Sequence, residues 1–81
     1  MELNKFIEDF ALQFDETDPA EFKPETRFRE LEEWSSVVGL LVIVMADEKY
    51  NVRLNRDHII NSKTIYDLYK VVESEHNKMA V

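Results

Sequence analysis

The feature that most constrains this chain is an unbroken apolar run from Val37 to Ala46. The run is far shorter than the ~20 residues a membrane-spanning helix needs, so it reads as a core element rather than an anchor. Its β-branched residues favour a strand, and periodicity cannot arbitrate inside a continuous apolar stretch. As a helix, it begins at a serine cap and places Val37, Leu40, Leu41 and Val44 on one face, with Asp47 and Glu48 reaching solvent. As a strand, it would pair with Tyr50 to Leu54 through a turn at Ala46 to Lys49, an isolated hairpin that two helices would have to cover. The helix is topologically simpler, and its propensity cost is only about tenths of a kcal/mol per residue.

The flanking segments are easier to read. Leu3, Phe6, Ile7, Phe10 and Phe14 recur at steps of three and four, the stripe of a first helix. From Asp15 to Ser35 the periodicity fails and two prolines enter, so a long loop pinned by Phe22, Phe28, Leu31 and Trp34 is expected. Structureless connections of that length are uncommon, and a short helical turn near Glu25 to Leu31 is one way to resolve it. Ile59 and Ile60 mark a short helical turn at Arg56 to Asn61. Thr64 followed by Asp67 resembles a cap, and Ile65, Leu68, Tyr69 and Val72 form the stripe of a last helix. No periodicity continues past His76, so residues 77–81 are expected to fray.

At 81 residues the chain forms one domain with a modest core. Ten Lys and Arg against seventeen Asp and Glu leave a net charge of −7, which disfavours nucleic acid and anionic lipid and favours basic protein partners. With no cysteine, disulfide staples and thiolate metal sites are excluded, and packing alone must hold the core. The N-terminal residues carry acids where a secretion signal needs a basic start, so a cytoplasmic monomer is expected.

The order of long helix, long loop, serine, apolar helix, short helix and capped final helix resembles the acyl and peptidyl carrier protein family. Trp34-Ser35-Ser36-Val37 stands where that family has an Asp-Ser-Leu motif, sometimes after tryptophan. Met45 to Leu54 is similar to the family's acidic helix end, aromatic residue and short extended stretch. Lys63-Thr64-Ile65-Tyr66-Asp67-Leu68 resembles the start of its final helix. The likeness covers roughly residues 3 to 74 as an overall pattern. It implies an all-α fold, a small four-helix bundle with three longer helices and one short one. It further implies a 4′-phosphopantetheine arm on Ser36, installed by a phosphopantetheinyl transferase and used by acyl-transferring enzymes of lipid or secondary-metabolite synthesis. The resemblance gives the chain no catalysis of its own. Two departures weaken the match. Ser35 replaces the family aspartate, with Val37 replacing the leucine, and the following helix is apolar where the family carries acids read by basic partners.

Read without the resemblance, Ser36 before an apolar run is a helix cap. With it, Ser36 is the attachment site and Ser35 the cap or alternative acceptor. His58 lacks a second ligand at metal spacing and reads as a solvated histidine. Asp47 and Glu48 diverge by about 100° on a helix and read as a solvated end. Trp34 reads as core closure. Glu30, Glu32 and Glu33 form an acidic surface beside Ser36 that a basic enzyme face can meet. Neither a nucleophile–base pair nor a phosphate-cradling glycine loop is present, and Gly39 is the single glycine. The rival reading is an unmodified acidic interaction module docking through Val38, Val42 and Met45.

Overall fold

The computed structural model describes residues 1–79, and among them four α-helices and no strand are found. Helix α1 spans Leu3–Ala11, α2 Ser36–Tyr50, α3 Arg56–Asn61 and α4 Ile65–Met79. The apolar run is therefore helical, which decides between the two open readings. Ser35 caps α2 by accepting the Val38 N–H at 3.3 Å. Asn51, in the left-handed region at φ 56°, ends it and lets the Asn51 and Val52 N–H groups turn back to the carbonyls of Asp47 and Ala46. Beyond that turn Val52 and Leu54 bury while Arg53 stays exposed, an alternating extended link into α3.

The short helix falls at the residues expected. Asn55 and His58 cap it reciprocally, each side chain accepting the other's backbone N–H at 3.0 Å. His58 is thus a partly buried cap rather than a freely solvated side chain. Thr64 and Asp67 build the same kind of box at the head of α4. Helix α4 continues through Asn77, Lys78 and Met79, so the fraying expected from residue 77 is corrected there; residues 80–81 lie outside the described residues. An ion pair from Lys78 to Glu75 and a hydrogen bond between His76 Nδ1 and the Tyr50 carbonyl support those last turns, contacts that apolar periodicity does not register.

Helices α1, α2 and α4 pack mutually, and α3 packs on α4. Phe6 and Phe10 are fully buried at the centre, with rings near Tyr50, Tyr69, Phe14, Phe22 and Phe28. Burial of each such ring is worth about 1.5–3 kcal/mol, which explains how a core without covalent staples holds.

The connector between α1 and α2 is ordered by side chains and two 3₁₀ turns, Pro19–Glu21 and Phe28–Glu30, the second inside the segment where a turn was expected. Phe22 and Phe28 insert into the aromatic core, and Trp34 stacks edge-on against Phe28 at 5.1 Å. The Glu33 carboxylate accepts the backbone N–H groups of Asp15, Glu16 and Thr17 and the Thr17 hydroxyl. Farther along, the Thr26 and Pro24 carbonyls accept the N–H groups of Ile65 and Tyr66, the otherwise orphaned donors of the first turn of α4.

Candidate functional site

Trp34 fixes where the site begins. Its indole, wedged between Phe14 and Phe28, also lies over Gly39, where an added Cβ would sit 3.4 Å from the ring. That distance is ordinary van der Waals contact, so the indole packs directly on α2 at its single glycine. Held this way, the chain delivers Ser35 as the cap and Ser36 as the first residue of the helix, exposed to solvent. Because the Ser35 Oγ takes the cap bond, the Ser36 Oγ is left out of it. Ser35 is therefore the cap of α2, a role that sequence alone left between the two serines.

Ser36 borders a groove of about 420 Å³ between α2 and α3. Leu40, Ile43, Ile59 and Ile60 line it together with Arg29 and Arg56. No aspartate or glutamate lines it.

Next to the groove, α2 presents an apolar outer face. Val37 is 66% exposed, Leu40 62%, Leu41 43% and Val44 49%. Val38, Val42 and Met45 are buried instead. The docking patch expected on those three is therefore corrected: they bind the helix to its own core, and the outward apolar surface belongs to the other set. The reason is register, since a helix apolar on all sides offers several stripes and the neighbours choose one.

The acidic residues near the site also separate. Glu33 is committed to the connector; the Thr17 hydroxyl, foremost, and the backbone N–H groups of Asp15 to Thr17 hold its carboxyl below the ordinary range, against an opposing effect of burial. Glu30 pairs at 3.6 Å with Arg27, and Glu32 is exposed. Asp47 and Glu48 are exposed at the far end of α2, as their spacing predicts.

One polar centre was not anticipated. Asp9 is buried within α1 and accepts the Tyr50 hydroxyl at 2.6 Å and the Lys5 ammonium at 3.2 Å, with Lys49 at 4.0 Å. Burial acts to raise its carboxyl, but the Tyr50 hydroxyl and the two lysines outweigh it and the net shift is downward. Burial, then the Asp9 carboxylate, push the Tyr50 hydroxyl far above its ordinary range. The only sequence signal was Lys5 at the i, i+4 spacing from Asp9. This centre joins α1 to the end of α2 and lies outside the groove.

Among the described residues no group of three or more His, Asp or Glu is gathered to hold a metal ion. No described helix is long and apolar enough to cross a membrane. No protein-family model, curated protein or solved structure matches the chain.

Proposed function

We propose that this chain is an acyl carrier protein of divergent sequence, in which Ser36 accepts a 4′-phosphopantetheine arm. The observation that carries the reading is the exposed Ser36 hydroxyl at the first position of α2, freed by the Ser35 cap and set between an acid-free groove and an apolar outer face. The four-helix order, with a long connector before the serine, agrees with the acyl-carrier type of bundle.

The residues present suit the group. In the transfer, the Ser36 Oγ bonds to the phosphorus of the pantetheine phosphate as the pyrophosphate bond of coenzyme A breaks. The hydroxyl proton passes to the transferase and adenosine 3′,5′-bisphosphate leaves. The product carries a negative phosphodiester, which the free N–H groups and dipole at the head of a fifteen-residue helix favour. Once attached, the arm would supply the terminal thiol that carries acyl cargo, while Ser36 would anchor it to the chain. The chain itself then positions and presents, and the chemistry belongs to the transferase and to acyl-transferring or acyl-modifying enzymes in the cytoplasm.

Partner enzymes meet the apolar face of Val37, Leu40, Leu41 and Val44 together with Asp47 and Glu48. This departs from the acidic helix typical of carriers and directs recognition toward apolar contact. That same face supports the second reading, an unmodified interaction module.

The deciding experiment incubates the protein with coenzyme A, magnesium and a broad-specificity phosphopantetheinyl transferase, then records intact mass and the modified peptide. A gain of one phosphopantetheinyl group on Ser36, absent in Ser36→Ala with its helical signal intact, is expected. Loading that persists in Ser36→Ala removes the assignment, and no loading even by a transferase from the same source favours the interaction module.

A further inference from the structure

The outward face of α2 changes character along its length. Val37, Leu40, Leu41 and Val44 form one exposed apolar stripe at steps of three and four, and exposed Asp47 and Glu48 continue it on the same side. Neither carboxylate forms an ion pair among the described residues. The first half of the helix has cations beside it instead. Arg29 and Arg56 line the groove that runs along Ser36, Leu40 and Ile43, and Lys63 joins Arg29 in lining a second, smaller pocket. These three cations also form no ion pair among the described residues, while Glu30 pairs with Arg27 and Glu33 is committed to the connector. One end of the stripe is therefore basic, its middle apolar and its other end acidic.

A surface in that order is complementary to itself when turned end for end. We propose that two copies of this chain associate through α2, packed antiparallel about a two-fold axis that passes between Leu40 and Leu41. The axis sets Val37 of each copy opposite Val44 of the other and brings Arg29 and Arg56 of each copy toward Asp47 and Glu48 of the other. Stripes at this spacing are the seams along which helices pack side by side. A parallel pair would instead set acid against acid and base against base, which repulsion disfavours. The net charge of −7 opposes any association of two copies, and the cross-paired ends offset it locally. A single helical stripe falls short of the about 800 Å² per partner of a standard interface, so the dimer is reversible. It departs from the monomer expected from sequence and does not depend on whether Ser36 is modified. A partner enzyme that uses the same face has to compete with the second copy for it.

The test is sedimentation equilibrium of the unmodified full chain from the micromolar to the millimolar range. Expected is a monomer–dimer equilibrium that weakens about tenfold or more in Leu41→Asp, because the two new carboxylates meet near the axis. Two charge reversals fix the register. Arg29→Glu/Arg56→Glu and Asp47→Arg/Glu48→Arg should each stay monomeric where the parent dimerises, and their equimolar mixture should recover a heterodimer. These side chains are exposed, so an unchanged helical signal should accompany each loss. A chain that stays monomeric at millimolar concentration overturns the inference and returns the face to a partner of another kind. A dimer that ignores Leu41→Asp, or reversals whose mixture remains monomeric, overturns this interface. Loading of Ser36 is read separately by intact mass, so either reading can fail without the other.

Discussion

The two faces of α2 are both apolar and meet opposite fates. Val38, Val42, Met45 and Ala46 are buried, whereas Val37, Leu40, Leu41 and Val44 face solvent. Hydrophobicity therefore does not say which face enters the core. Elements on either side decide it: Phe6 and Phe10 of α1 and the Leu68–Val72 stripe of α4 supply the surface that the inner face covers. The outer face finds no such partner within the described chain, and that difference separates a residue that holds the fold from one that is left for use.

Placing a charge on each face gives the sharpest contrast. Val42→Asp buries an unpaired carboxylate and is expected to cost about 3–5 kcal/mol, enough to abolish most of the cooperative urea transition. Val44→Asp is expected to stay within about 0.5 kcal/mol of the parent. Equal losses in the two variants would mean that the outer face is also part of the core.

A second contrast sets Asp9 against the open carboxylates of the surface. Its folded pKa is depressed, so its contribution is fully present above the unfolded value of about 3.9 and is lost as pH falls through that value toward the folded one. Unfolding followed from pH 6 to 2 should show a shallower acid loss in Asp9→Asn than in the parent. Identical slopes would remove the Tyr50–Lys5–Lys49 network as a source of acid sensitivity.

Gly39→Ala tests the meeting of Trp34 with the helix. A methyl group there reaches ordinary contact with the indole, so the gain in helix propensity should dominate and raise stability by about 0.5–1 kcal/mol. A loss would show that the indole has no room to yield. The smallest effect is local: Glu33→Gln should speed amide exchange at Asp15, Glu16 and Thr17 while the amides of α2 keep their protection.

Much of the fold was legible because it rests on local rules. The stripe of α1, the 56–61 helix and the Thr64–Asp67 cap are each written in residues a few positions apart. The facing of α2 was not legible, since it depends on residues from α1 and α4 far along the chain. Ser36 was singled out by resemblance, but its separation from Ser35 required the cap geometry. Glu33 looked like one more surface acid because its hydrogen-bond partners lie 16 to 18 positions away.

The fastening of the connector bears on where the chain can be lengthened. Glu33 clips its first turn, and the Pro24 and Thr26 carbonyls are committed to α4. Between these clips the exposed stretch from Asp18 to Glu21 touches the core through no side chain of its own. An epitope or small reporter inserted there only enlarges a loop closed on both sides, at an entropic cost of about 0.6 kcal/mol for each doubling of its length. The same insert placed between Glu33 and Ser36 would move the tryptophan that sets the start of α2. A tag that leaves the serine where it is therefore belongs at the 3₁₀ turn near Pro19, on the far side of the clip.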